Sequence, residues 1–347
     1  MLGSSINWKE LFPTKCSVVV FVSYMALFIN QGVLVKGSQE QNSAYNYNTV
    51  TVVLMTEVLK LVVSSALYCK DLPFTSLIYE VKSNLKVLML YFVPALLYCL
   101  YNNLAFVNLA AFDPTSYYLL LQFRVVVTGV VYQLIFKRKL SGKQWVSLIL
   151  LTAGCMIKQV DFSLFSSSEK TPSPFSNFYL NINAFLIFVQ TVCSCLAGVY
   201  NEYLLKGEAE VNIFLQNVFM YIDSIICNAG ILLIQGNFVE SFSTDALKSL
   251  MQYKVLLIMI NNAAIGIITS FFLKNLNSIL KTFASALELM FTAAICWAIF
   301  GIPIYFNTVV AITIVSYAVI LYSQNPVVNQ VKSSGTDPST EKLIQSV

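Results

Sequence analysis

Three cations stand inside stretches of this chain that are otherwise apolar enough to lie in a bilayer: Lys60, Arg124 and Lys281. An ionisable group near the bilayer centre costs about 2.5–3.5 kcal/mol on insertion scales, so each should face a polar interior and have a partner. Arg124 is preceded by Tyr117, Tyr118 and Gln122, a polar neighbourhood for an apolar run. It reads as an anion-binding group in a water-filled cavity, or as half of a structural ion pair with Glu288 or Asp223. Lys281 follows Asn275, Asn277 and Ser278. Alone it could be a lysine that snorkels to the interface. Together with Arg124 it offers two cations for a phosphate or diphosphate, the arginine as a planar fork and the lysine as a compact charge. Glu57 and Lys60 are three residues apart, share a helix face and can pair. Such a pair would either let the helix insert or act in gating.

The remaining polar groups in apolar surroundings suit hydrogen bonding. Asn102 and Asn103 follow Tyr101 and could read a base or ribose, or tie neighbouring helices together. Asn217 and Tyr221 are four apart, hence on one helix face; the tyrosine could stack on a ring or donate to a phosphate. Asn201 and Glu202, in GVYNEYLLK, could cap a loop or line an entrance. Asp223 and Glu288 could be counter-ions to the cations or proton-coupling groups. The chain has no histidine, which removes Ser-His-Asp and Cys-His catalysis, histidine metal sites and histidine-ligated haem. Its eight cysteines lie in or beside apolar runs with no CxxC, and read as small buried residues rather than bridges or metal ligands. No metal or cofactor is expected. Glu57, Asp223 and Glu288 show no paired spacing, so the reading is not an enzyme. The net charge of +4 comes with no basic arm or stripe, which speaks against nucleic acid.

Of the 347 residues, 57% are hydrophobic and only 11% charged, with a mean hydropathy of +0.71. Soluble domains carry roughly a quarter charged residues, so the composition indicates an all-α polytopic membrane protein. At about 20 apolar residues per span, ten runs can be counted: 16–35, 48–69, 86–108, 115–136, 144–160, 182–205, 212–234, 254–274, 278–300 and 303–323. The stretch 88–136 is almost continuously apolar and is divided by the turn at Asp113-Pro114; nine and eleven spans are the alternative counts. On the ten-span reading Arg124 lies about nine residues into the fourth, roughly 14 Å deep at about 1.5 Å per residue. Ten spans put both termini on one side. Thirteen of the 21 lysines and arginines then fall on the terminal side, five on the other and three within spans, so the termini face the cytosol. The first run is of spanning length with no small-residue cleavage site before its polar end and reads as a retained signal-anchor. The Ser/Pro-rich segment 161–181 divides the chain into a first half, 1–160, and a second, 182–323, with a polar, disordered cytosolic tail at 324–347. Five spans per half give the halves opposite orientation, the inverted-repeat arrangement of many transporters, with 161–181 as a lumenal linker.

Six segments in order carry a resemblance: TEVLKLVVS at 56–64, YNNLAFVNLAAFDPTSYYLLLQFR at 101–124, KLSGKQWVSLILLTAG at 139–154, LAGVYNEYLLK at 196–206, LQNVFMY at 215–221 and SILKTFASAL at 278–287. Together they resemble the Golgi nucleotide-sugar transporters, in the branch of the CMP-sialic acid, UDP-galactose and UDP-N-acetylglucosamine carriers. The resemblance implies a drug/metabolite-transporter fold of ten transmembrane helices in two inverted five-helix halves. It also implies import of a nucleotide sugar into the lumen in exchange for the nucleoside monophosphate. Its basic residues fall on Arg124 and Lys281, its paired asparagines on Asn102 and Asn103, its fourth-span tyrosine on Tyr117, and its seventh-span Asn and Tyr on Asn217 and Tyr221; Gln122 joins the substrate-binding set. The sequence departs from the pattern with Arg for Lys at 124, Thr282 for Gly, Asn277-Ser278 for Asp-Asn, Asn201-Glu202-Tyr203 for Phe-Glu-Lys, and Glu288 where better-known members are apolar. These place it in a divergent branch; within it the chain resembles the insect-type UDP-galactose carriers. A CMP-sialic acid or UDP-N-acetylglucosamine carrier and a non-transporting scaffold of the same fold stand as alternatives. The expected partners are the nucleotide sugar, the monophosphate and the bilayer, with a homodimer or a glycosyltransferase as protein partner. The expected location is the Golgi membrane, favoured by the terminal LIQSV, which resembles hydrophobic export tails.

Overall fold

The computed structural model describes residues 7–38, 49–111, 117, 120–159, 182–208, 211–234, 236, 238–244, 248, 250–301 and 305–327. The expected turn at Asp113-Pro114, the neighbour Tyr118, the 161–181 linker and the tail beyond residue 327 lie outside them. Regular structure among the described residues is helical throughout. Ten helices are long and apolar: α1 (Lys15–Ser38), α2 (Thr49–Cys69), α3 (Leu85–Ala111), α4 (Arg124–Phe136), α5 (Gly142–Gln159), α6 (Ile182–Gly207), α7 (Ile213–Ile234), α8 (Tyr253–Asn275), α9 (Ser278–Phe300) and α10 (Phe306–Gln324). Eight of them are long and apolar enough to cross a membrane; α4 and the apolar part of α5, Gly142–Ile157, are shorter. The protein is thus a multi-pass membrane protein. Three short helices, Trp8–Leu11, Phe74–Ser83 and Phe238–Ser241, complete the described elements.

The apolar runs become helices because a backbone in hydrocarbon must satisfy its own hydrogen bonds. Their ends follow local chemistry. Asn277 caps α9 by accepting from Leu280 N at 2.7 Å. Gly301, at φ +66°, ends the same helix in the left-handed conformation that glycine adopts without strain.

Helix packing is selective. α1 lies against α8 and α9, while α6 lies against α3 and α4. α2 packs on α7 and α8, α3 on α7, and α5 along α10. Gly154 permits the last of these approaches, because a Cβ there would sit 2.9 Å from Val315 Cγ2 and 3.3 Å from the Val315 backbone N. Apolar contact alone does little to hold helices together in lipid, and polar side chains add specific ties. Asn30 Nδ2 donates to Asn261 Oδ1 at 2.9 Å, and Asn261 Nδ2 donates to Gln31 Oε1 at 3.1 Å, clamping α1 to α8. Tyr91 O–H donates to Gln216 Oε1 at 2.6 Å, joining α3 to α7.

The largest apolar cluster includes Tyr24, Leu148, Phe272, Phe283, Val315 and Tyr322, from α1, α5, α8, α9 and α10. A second, around Tyr68, Leu77, Tyr91, Leu215 and Phe219, joins α2, α3, α7 and the Phe74–Ser83 helix. None of the eight cysteines, all of them among the described residues, forms a disulfide. Five are buried as the sequence suggests; Cys16 is exposed and Cys69 and Cys296 are partly exposed, a correction to the uniformly buried reading. Spanning helices present an outer face to lipid, and a small apolar thiol is tolerated there.

Candidate functional site

The start of α9 is built by a buried carboxylate. Glu202, at the end of α6, is fully buried. It accepts hydrogen bonds from Ser278 N at 2.7 Å, from Ser278 Oγ and from Lys206 Nζ at 2.6 Å. The Lys206 ammonium also donates to the carbonyl of Leu276, the residue after α8. These bonds pin the first turn of α9 to the end of α6. From that anchor α9 turns Ser278, Lys281, Thr282, Ser285 and Glu288 into one cavity. The spacings of three, four and seven residues keep them on one face.

Across the cavity lies α4, and here the structure differs from the sequence reading. Arg124 is not deep inside an uninterrupted helix; it is the first residue of α4, after a turn at Gln122 and Phe123. Phe123 offers no side-chain cap. Thr128 Oγ1 donates back to the Arg124 carbonyl at 2.7 Å, and Cys195 Sγ on α6 donates to the same carbonyl at 3.3 Å. The backbone beneath the guanidinium is therefore tied to its own helix and to α6.

The cavity measures about 520 Å³, within the range of small-molecule sites. Of the residues singled out in the sequence, it brings together Arg124, Lys281, Asn102, Tyr117 and Gln122. Arg124 and Lys281 both face this cavity. Two like charges facing one space are costly unless something anionic lies between them. Glu288 lines the same cavity. Asp223, the other candidate counter-ion, is buried in α7 and does not line it.

Asn103, Asn217 and Tyr221 are not among the cavity-lining residues. Asn103 Nδ2 donates to the Cys99 carbonyl one turn back at 2.9 Å. Asn217 is buried, and its Nδ2 has no hydrogen-bond partner among the described residues. Tyr221 belongs to a second polar group with Glu57 and Lys60. Lys60 Nζ pairs with Glu57 Oε1 at 2.7 Å and sits 5.6 Å from the centre of the Tyr221 ring, a cation–π approach. Gly266 on α8 leaves room for this arrangement: a Cβ there would meet the Tyr221 hydroxyl at 2.8 Å and Lys60 Cε at 2.9 Å.

Sequence reasoning missed Tyr98, Thr128, Ser194 and Ser285 in the cavity wall. A signal existed: Tyr98, Thr128 and Ser285 each lie one helical turn from a residue already singled out, namely Asn102, Arg124 and Lys281. Ser194 carries no such mark. Among the described residues no three of Cys, Asp, Glu or His gather as a metal site.

Comparison with known proteins identifies the family. The family model described as "Nucleotide-sugar transporter" matches residues 12–323. The chain is 58% identical to "UDP-galactose transporter senju" of Drosophila melanogaster, over 97% of this chain and 96% of that protein. It is 30% identical to "CMP-sialic acid transporter 1" of Oryza sativa subsp. japonica, over 79% of this chain and 83% of the relative. A solved crystal structure superposes with a TM-score of 0.62 at 10% identity, covering 91% of this chain and 99% of the other, a likeness of fold alone.

Proposed function

Because the chain belongs to the nucleotide-sugar transporter family, we propose that it imports UDP-galactose, or a closely related UDP-sugar, into the Golgi lumen in exchange for UMP. The observation that carries the substrate is the near full-length likeness to the fruit-fly UDP-galactose transporter. The cavity fits an anionic cargo. Arg124 and Lys281 would hold the phosphates, while Asn102, Tyr117 and Gln122 would read the nucleoside. Asn217 and Tyr221, beside the Glu57–Lys60 pair, would contact the cargo or its path only when the helices rearrange, and Asn103 would support the turn that presents Asn102. Transport, not catalysis, is the activity.

We place ten spans across the bilayer, with α4 and α5 as the two shorter ones, in two inverted halves, 1–160 and 182–323, joined by a lumenal linker at 161–181. Helix packing supports the repeat. Adding five to each helix number turns the contacts of α1 with α8 and α9 into those of α6 with α3 and α4, and leaves the α2–α7 and α5–α10 pairs unchanged. The excess of lysine and arginine on one side favours cytosolic termini, with 324–347 as a cytosolic tail. Rocking of one half against the other would expose the cavity to each side in turn. An empty cavity holds two cations against one carboxylate, Glu288, and that excess positive charge would disfavour the return of the unloaded carrier and favour exchange.

The reading is tested by ligand-induced stabilisation of the purified protein. UMP and UDP-galactose should raise the unfolding temperature, the shift growing with the logarithm of their concentration above Kd, as a ligand that binds only the folded state must. CMP and GMP should raise it less. Equal shifts with all four, or none, would refute the assignment.

A further inference from the structure

Among the described residues that line the cavity, Glu288 is the one acidic group. Phosphate binding by Arg124 and Lys281 gives it no part, and a carboxylate repels a phosphate. Its presence in a cavity for an anion therefore needs an account. Glu288 stands on the cavity face of α9, seven residues beyond Lys281. That is about two turns, or roughly 10 Å along the helix at about 1.5 Å per residue. The α9 wall between the two is small and uncharged, formed by Thr282, Ser285 and Ala286. Thr282 Oγ1 donates its hydrogen to the Ile279 carbonyl at 2.7 Å, which leaves its lone pairs as acceptors.

The two stations on this helix face differ in hydrogen-bonding sense. Lys281, like Arg124 across the cavity, only donates. An ionised carboxylate only accepts, and so do phosphate oxygens. Phosphates answer the cations. Glu288 calls for a part of the cargo that donates, and a hexose is dense in hydroxyl donors. The groups proposed to read the nucleoside, Asn102, Tyr117 and Gln122, belong to α3 and to the residues before α4, so Glu288 on α9 stands apart from them in the chain.

We infer that Glu288 recognises the sugar of the nucleotide sugar, its two oxygens accepting hydrogen bonds from adjacent hydroxyls of the hexose. The inference rests on the proposed binding of a UDP-sugar in this cavity. Glu288 also interacts within the protein; a carboxylate has about four lone-pair sites, so a protein contact leaves acceptors for a ligand. UMP carries no hexose. The contact therefore belongs to the nucleotide sugar alone, and Glu288 sets the preference between the two exchanged ligands.

The test is equilibrium binding of UDP-galactose and of UMP to the purified full chain, for the wild type, Glu288→Met, Glu288→Gln and Glu288→Asp. At about pH 7.5 both ligands carry about two negative charges. Removing the charge of Glu288 acts on both in the same direction, so the ratio of their affinities isolates the hexose. A hydrogen bond to a charged group corresponds to roughly ten- to a hundredfold in affinity. Glu288→Met should lower the preference for UDP-galactose over UMP by at least about tenfold. Glu288→Gln should lower it less, because the amide carbonyl still accepts. Glu288→Asp keeps the charge but withdraws it by one methylene, and should lower the ratio as well. A ratio within about twofold of wild type in Glu288→Met would overturn the inference. An equal loss for both ligands would then assign Glu288 to the ribose or to holding Arg124, and an equal gain would assign it to charge alone. Thermal unfolding checks that each variant folds; if Glu288→Met does not, the ratio in Glu288→Asp decides by the same criterion. A wild-type protein that binds neither UMP nor UDP-galactose would contradict the proposed function instead, a result distinct from an unchanged ratio with wild-type binding intact.

Discussion

Replacing Glu202 by alanine removes one buried side chain on which two helices depend. Its carboxylate takes both the backbone N–H and the hydroxyl of Ser278, together with the ammonium of Lys206. Hydrogen bonds to a charged group contribute about 1.5–3 kcal/mol each, and breaking a buried ion pair by removing one partner costs about 3–5 kcal/mol. Lys206 keeps its bond to the Leu276 carbonyl and its side chain is 16% exposed, so the surviving charge is not abandoned. The lower end applies, a loss of about 3 kcal/mol. At the roughly 2–4 °C per kcal/mol of larger domains, the apparent Tm of detergent-solubilised protein should fall by about 6–12 °C. Ser278→Ala removes only the hydroxyl bond and should cost about 1.5 kcal/mol, the lower end of the same scale. The assay is a thermal unfolding series followed by a cysteine-reactive dye or tryptophan emission, with all variants at one detergent concentration. An unfolding temperature for Glu202→Ala within about 2 °C of wild type would refute the view that this carboxylate anchors α9 to α6.

Other substitutions separate binding from packing. Arg124→Ala should weaken UMP or UDP-galactose at least about 30-fold, the roughly 2 kcal/mol lower bound for truncating a charge-pair partner; Arg124→Lys should recover part of this by keeping the charge without the fork, as read by equilibrium binding. Lys60→Met, which strands Glu57, should destabilise by about 2 kcal/mol, and adding Glu57→Gln should recover at least half, because the pair is largely buried at 17% and 14% exposure; denaturation of the single and double variants measures it. Gly154→Val should cost about 1–3 kcal/mol by forcing α5 away from α10 at Val315, visible as a lower unfolding temperature with unchanged ligand affinity at low temperature.

The sequence revealed the ingredients better than their grouping. Arg124, Lys281, Asn102, Tyr117 and Gln122 stood out because polar groups in apolar runs are costly, and they line one cavity. Asn217 and Tyr221 stood out for the same reason but do not line it. Helical spacing shows that they share a face; it does not show which neighbour the face meets, and α7 packs on α2 and α3. The shorter α4 was hidden because a run of apolar residues looks the same whether or not a turn at Gln122 and Phe123 interrupts its helix. Glu202 was legible only as a group near an end, since its partner Ser278 is 76 residues away.

The central claim is exchange of a nucleotide sugar for its monophosphate. The most direct test is uptake by liposomes containing the purified protein and preloaded with UMP, CMP or GMP. External UDP-galactose, UDP-N-acetylglucosamine, CMP-sialic acid and GDP-mannose are compared, with Arg124→Ala as control. The account predicts uptake of UDP-galactose that is stimulated by internal UMP and lost in the variant. Folded protein that exchanges none of these pairs would contradict it.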